Sequence, residues 1–378
     1  MTRWLPVTTL AGALVLAWAP YCVAQEDPEE PAVGTLVRFF TGSDHVGVRS
    51  LMGDYTFTSR RDMALTIHWN NERVTIPAVE APVGSQEAID AITTASRPIA
   101  GNAFQDFSKV RNEFQGALSR GGTALDYYVS SESDYLGQQL GARYNRDLSN
   151  QQLNLAFGAS YGWDHIAPVA DDDTQTAADT KTTLHWNAVA TRVVSPTTLV
   201  RVGLEYNVVD GLQHNPYRNV YAGGTNVPEH HPDHRERRDA FVKLNQYLRN
   251  RSSLKLNYRY YTDDWGIASH EVGSRLSQYV SHGVFAQYQY RYYTQSEADF
   301  YRLVYPTTNG VNGYLTGDYR MAALSSHLFG VALDLDFGIL AAESAWFHRL
   351  RARMSYDRYF NSNNYSANIL ESGVDFRF

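Results

Sequence analysis

Thr198-Leu199-Val200-Arg201-Val202-Gly203-Leu204-Glu205-Tyr206-Asn207-Val208 decides the fold. Val200, Val202, Leu204, Tyr206 and Val208 recur at every second position, with Arg201, Gly203, Glu205 and Asn207 between them. A helix scatters such a pattern around its circumference, whereas an extended strand gathers it on one face. The same alternation runs through 151–163, where Leu153, Leu155, Phe157, Ala159, Tyr161 and Trp163 oppose Asn154, Ala156, Gly158, Ser160 and Gly162. It returns at 253–261, where Leu254, Leu256, Tyr258 and Tyr260 oppose Lys255, Asn257 and Arg259.

A soluble sandwich would alternate too, and three features favour a membrane barrel instead. The strands read as roughly 10–13 residues, the length of a tilted strand crossing a bilayer. Aromatics fall near predicted strand ends, at Trp69, Tyr161, Trp163 and Trp265, where an interfacial girdle sits. The chain closes on Leu370, Val374, Phe376 and Phe378, and a terminal amphipathic strand ending in an aromatic residue resembles the assembly signal of outer-membrane barrels. Composition agrees. With 378 residues, 43% of them hydrophobic, and a mean hydropathy of -0.39, a bundle of membrane helices is excluded. An aromatic share of 13% excludes disorder, and a formal net charge of -7 argues against nucleic acid.

Residues 1–24 read as a secretory signal: Arg3, an apolar run from Leu10 to Ala19, and Cys22-Val23-Ala24 as the cleavage site. Its removal takes away the single cysteine, and with it disulfides and thiolate metal sites. Residues 25–33 form a short periplasmic leader and 34–378 the barrel. Short turns are expected at Ser59-Arg60-Arg61, 119–122, 145–150, Ser195-Pro196, Asn250-Arg251 and Ser281-His282-Gly283. Long links are expected at 71–107, 164–180, 210–236, 262–266 and 295–318, the first with helical turns over 86–94. The pattern predicts an all-β, antiparallel, up-and-down transmembrane barrel of about 16 strands, with 14 as the alternative, given boundary errors of ~2–4 residues. Short turns would face the periplasm and long loops the exterior.

Tyr258-Arg259-Tyr260-Tyr261-Thr262 is echoed by Tyr290-Arg291-Tyr292-Tyr293-Thr294. Around these lie Asp263-Asp264-Trp265-Gly266-Ile267, Ala298-Asp299-Phe300-Tyr301, Asn215-Pro216-Tyr217-Arg218 and Val227-Pro228-Glu229-His230-His231-Pro232. With Asp90-Ala91 and Ala95-Ser96-Arg97-Pro98, the set resembles a bacterial outer-membrane β-barrel family classed as a domain of unknown function. The resemblance implies a Gram-negative outer-membrane barrel and brings no substrate, cofactor or catalytic residue with it. It hints at a periplasmic redox or flavin-related partner.

His230, His231 and His234 are candidate metal ligands, since imidazole suits transition metals, although a polar loop pinned by prolines is the favoured reading. Asp171-Asp172-Asp173 offers oxygen ligands for calcium, or a solvated loop tip. Asp164-His165 and Asp263-Asp264 are acid–base pairs, but neighbours on a strand point to opposite faces. No cofactor motif occurs. Parity turns Arg201, Glu205, Arg259, Arg291, Asp334, Asp336, Arg349, Arg351, Arg353 and Asp375 toward the lumen, with a strand over 346–359 pairing Asp334 near Arg349 and Arg353 near Asp375. Phe376 and Phe378 serve as the assembly signal. The expected partners are outer-membrane lipid, the barrel assembly machinery and a periplasmic protein. The function expected first is a channel or transport-type barrel. The alternatives are a structural or docking barrel and an outer-rim hydrolase.

Overall fold

The computed structural model describes residues 32–44, 46–59, 63–76, 107–169, 177–340 and 349–377. The predicted signal and most of the leader, the 86–94 turns, Asp171 to Asp173 and Phe378 lie outside them. The strands are β1 (Ala32–Gly42), β2 (Gly47–Ser59), β3 (Met63–Ile76), β4 (Phe107–Arg120), β5 (Thr123–Ser131) and β6 (Tyr135–Leu148). Then come β7 (Leu153–Ile166), β8 (Asp179–Ser195), β9 (Thr198–Gly211), β10 (Asn219–Ala222), β11 (Thr225–Pro228) and β12 (His234–Tyr247). The last are β13 (Ser252–Asp263), β14 (Ala268–Ser281), β15 (Val284–Gln295), β16 (Leu324–Asp336), β17 (Leu350–Asn361) and β18 (Ser366–Arg377). All but β10 and β11 form one closed antiparallel barrel of 16 strands, each paired with its neighbour in chain order. β10 and β11 are a separate hairpin inside the connection from β9 to β12.

Closure abolishes the sheet edge, and the seam is where it must be secured. β1 pairs with β18 from Ala32 opposite Arg377 to Gly42 opposite Ala367. Mid-seam, Arg38 opposes Glu371 and donates to it from Nε at 3.1 Å, with both side chains buried.

The outer surface is apolar: Leu140, Phe157, Leu204, Val272, Tyr288 and Met354 are each at least half exposed. Such a belt would be an aggregation hazard in water and suits hydrocarbon. Positions between them turn inward. In β9, Leu204 is 61% exposed and Glu205 6%, one residue apart.

The structure differs from the sequence reading at several points. β1 starts at Ala32, inside the expected leader. β16 does not turn directly into β17: Asp336 accepts the backbone N–H of Gly338 at 3.0 Å, and a helical turn, Phe337–Leu340, follows. β17 therefore begins at Leu350, and Arg349 lies in the connection before it rather than on the luminal wall. Trp69 is outward-facing but mid-strand in β3. Trp265 is in no girdle, being 3% exposed beneath the loops.

Candidate functional site

The inner wall is built from alternating positions whose charges find each other. On β3 and β4, Arg111 lies 2.9 Å from Glu72 and 3.5 Å from Glu113. Glu113 also accepts Asn70 and the Tyr128 hydroxyl, each at 2.6 Å. Lys109 reaches Glu132 at 2.7 Å and Asp134 at 2.6 Å. Across the barrel, Arg259 on β13 lies 2.5 Å from Asp239 on β12 and 3.4 Å from Glu205 on β9. Arg235 meets Asp263 at 2.5 Å, and Arg291 meets Glu271 at 3.8 Å. Several of these acids and bases are buried, which costs several kcal/mol per ion unless a partner offsets it.

Arg201, Glu205, Arg259, Arg291, Asp334, Asp336, Arg351, Arg353 and Asp375 all occupy inward positions of their strands. Their pairing is not the expected one near the C-terminus. Asp334 opposes Arg353 at 3.2 Å, not Arg349. Arg351 opposes Asp336, at 3.2 Å, on one side and Asp375 on the other, while Arg353 opposes Gly373. The delayed start of β17 moves the register. Phe376, next to last in β18, lies opposite Leu350 and Val33.

Two outer connections interlock into a cap. In the β9–β12 connection, β10 and β11 turn at Gly223 (φ 60°) and Gly224 (φ 86°), the left-handed pair that a two-residue hairpin demands. His230 and Leu315, from the β9–β12 and β15–β16 connections, exchange backbone hydrogen bonds of 3.0 and 2.9 Å, and Gly223 donates to the Tyr305 carbonyl. Val220, Ala222, Tyr305 and Leu315 pack as one small core, and Trp265, Ile267, Ala298 and Phe300 as another. Trp265 lies under the Arg235 guanidinium, 4.1 Å from its ring centre, and donates from Nε1 to the His234 carbonyl at 2.9 Å. That joins the cap to the wall. On the far side the Tyr217 hydroxyl donates to Asp134.

Glu229 organises the cap's polar centre. It accepts the Thr316 hydroxyl, the Gly317 N–H at 3.1 Å and the Asn215 N–H at 3.3 Å, and lies 3.2 Å from His231 Nε2. Burial pushes its carboxyl up, but His231 and the Arg218 guanidinium outweigh this and hold it below its ordinary value. Asp318 is opposed by burial and drawn far below the carboxylate range by Arg320 and Arg218, the latter at 3.0 Å. His214 is pushed below its ordinary value by burial and then by His231.

The three candidate metal ligands do not converge. His231 is buried between Trp265, Phe300 and Glu229, and His230 contacts Tyr314 and the Gly313 carbonyl. His234 sits on the outward face of β12, 2.7 Å from Asp210. Among the described residues no group of three or more such side chains is placed to hold a metal ion. The acid–base pairs also divide: Asp164 joins Tyr135 and Lys181 while His165 is exposed, and Asp263 joins Arg235 while Asp264 accepts the Glu236 N–H.

The repeated tyrosine motif has one structural meaning. Tyr258 and Tyr260 bracket His270 on the outer surface, with the Tyr258 hydroxyl 2.8 Å from Nδ1. Tyr290 and Tyr292 bracket His327 in the same way, at 3.0 Å. The arginine inside each motif faces inward and binds an acid. The sequence reading passed over Arg111, Glu113 and Asp239, although their parity with Lys109 and Arg237 carried the signal, and it left Glu72 in the expected 71–107 link, whereas β3 runs on to Ile76. Asp318 stands in a loop with no periodicity to reveal it.

The sequence model of a family described as "Protein of unknown function (DUF3570)" matches residues 85–369. No curated protein is significantly similar in sequence. Among solved structures, OmpTdeltaL8, a loop-deletion mutant of an outer membrane protein of Vibrio cholerae, aligns at 9% identity and TM-score 0.42, covering 92% of this chain and 97% of that one. OccK1 of Pseudomonas aeruginosa aligns at 9% identity and TM-score 0.43, covering 92% and 98%. The siderophore receptor PirA of Acinetobacter baumannii aligns at 11% identity and TM-score 0.44, covering 88% of this chain and 53% of that one.

Proposed function

The chain belongs to this DUF3570 family, and from that premise we propose that it is a transport-type barrel of the outer membrane whose outer mouth is covered by the loop cap. The observation that carries the reading is the inner wall, which bears ionisable side chains on nearly every strand. A barrel serving only as a scaffold can fill its interior with apolar side chains, whereas a conduit for polar solutes keeps a polar wall. Passage then requires the cap to shift, and its far-side tether is the Tyr217 hydroxyl on Asp134.

Conductance in planar bilayers tests this. The purified barrel should show channels that open seldom, and Tyr217→Phe should raise the open fraction. The reading fails if the native protein is silent and stays silent after deletion of 213–231 and 300–320 from a barrel that still folds by heat-modifiable gel mobility.

A further inference from the structure

Strands β17, β18, β1, β2, β3 and β4 form one continuous arc of the barrel. Their outward positions hold no Asp or Glu. At the end that bears the cap, Arg49 on β2 stands directly opposite Arg73 on β3. Both are exposed, while Val48, Ser50 and Glu72 beside them in sequence are buried, so both arginines point away from the lumen. Like charges directly opposed on an antiparallel pair are destabilising.

Their depth can be read from the same face. The outward row of β3 runs Leu65, Ile67, Trp69, Asn71, Arg73 and Thr75, apolar as far as Trp69 and polar beyond it. On β4 the change comes at the same level, between Phe114 and Asn112, and Asn71 donates to Asn112 at 2.8 Å. A surface that passes from apolar and aromatic to polar marks the passage from hydrocarbon to headgroups. Arg73 and Arg49 stand one outward step past Asn71.

Outward charges elsewhere at this end are answered from within the chain. Arg238 on β12 meets Glu236 at 2.5 Å, and His234 meets Asp210 at 2.7 Å. Among the described residues neither Arg49 nor Arg73 has a carboxylate partner. Arg49 lies over the exposed Phe39 ring, 5.8 Å from its centre, and Asp44, the acid in the β1–β2 turn, accepts the Val46 N–H at 3.1 Å.

We propose that Arg49 and Arg73 form a binding site for a lipid whose headgroup is a phosphate, in the leaflet on the cap side of the membrane. Side chains rooted about 5 Å apart on adjacent strands can bring two planar guanidinium forks onto one tetrahedral oxyanion. The acyl chains then run along exposed Leu51, Trp69 and Phe114, on the hydrocarbon side of the pair. That apolar continuation selects a lipid over free phosphate. The site lies on the outer surface and does not depend on whether the lumen conducts.

The test uses the full-length barrel in neutral detergent, with retained lipid counted by native mass spectrometry. The probes are dimyristoylphosphatidate and dimyristoylglycerol, which share their acyl chains and differ in the phosphate. The native protein should hold the phosphatidate about tenfold more tightly, the effect of one hydrogen bond to a charged group. Arg49→Gln/Arg73→Gln should lose that preference while keeping the heat-modifiable gel mobility of a folded barrel. Arg238→Gln, outward on β12, should behave as the native protein does. No preference in the native protein, or the same preference in the double variant, overturns the proposal. So does displacement of the phosphatidate by inorganic phosphate at equal concentration, which would mark a site for the free anion.

Discussion

The same strands, β9, β12 and β13, carry two opposite arrangements of charge. In the outer half Glu205 stands opposite Asp239, two acids face to face, and Arg259 reaches both of them. Near the end of the barrel away from the cap Arg201 stands opposite Lys243, two bases, with a second basic pair, Lys255 and Arg275, beside them. The register is shared, so strand geometry does not explain the difference; burial does. Glu205 and Asp239 are buried, and ions there must be neutralised because removing each from water costs several kcal/mol. The basic row is partly exposed, where two charges ~5 Å apart repel by only about 0.8 kcal/mol in water. A penalty that small does not force the paired positions apart.

The comparison breaks most sharply at Arg259. Replacing it with Ala leaves Glu205 and Asp239 opposed and buried, at a cost of about 3–5 kcal/mol. Lys255→Gln, at a partly exposed position of the wall, should change stability by about 1 kcal/mol or less. Denaturant unfolding in lipid vesicles measures both, and equal losses would show that the two halves are not energetically distinct. Next in size is the face rather than the half. Leu204→Arg places a cation on the lipid-facing surface and should cost roughly 2–4 kcal/mol in the same assay. If it costs nothing, the outward belt is not in hydrocarbon.

The barrel was legible because its physics is periodic. A two-residue repeat with lipid on one side and a lumen on the other writes itself into every strand, as in Thr198 to Val208. Strand number and closure followed from that and from the alternation of short and long links. Where the period ceased, so did the reading. Phe337–Leu340 continues an apolar run that looks like strand, yet Asp336 caps it into a helical turn and shifts the next strand to Leu350. The cap depends on contacts between connections far apart in the chain, such as Glu229 with Thr316 and His230 with Leu315, which local patterns do not encode. The histidine cluster was visible as composition. Its separation into an outward His234 and a buried His231 depends on where β12 begins.

The finest contrast is between wall and cap under acid. His214 sits in the cap among His230, His231, Glu229 and Asp233. Its folded pKa lies below the ordinary value near 6.5 because burial, and then His231, disfavour its charged form. The open cap therefore takes up a proton more readily than the closed one, so the contribution to closure is present above about pH 6.5 and declines as pH falls below it. Glu229 and Asp318 have carboxyls held below their ordinary values, so both keep their charge through this window and lose it only in stronger acid. Hydrogen exchange resolves the effect by location. Between pH 7 and pH 5, amides of β10 and β11 should lose protection by a few-fold after correction for intrinsic rates, while those at the centres of β9 and β12 hold theirs. His214→Gln should flatten the dependence without loosening the wall. An unchanged slope in that variant would move the acid response away from His214, and equal loss in wall and cap would mean that the cap does not open separately from the barrel.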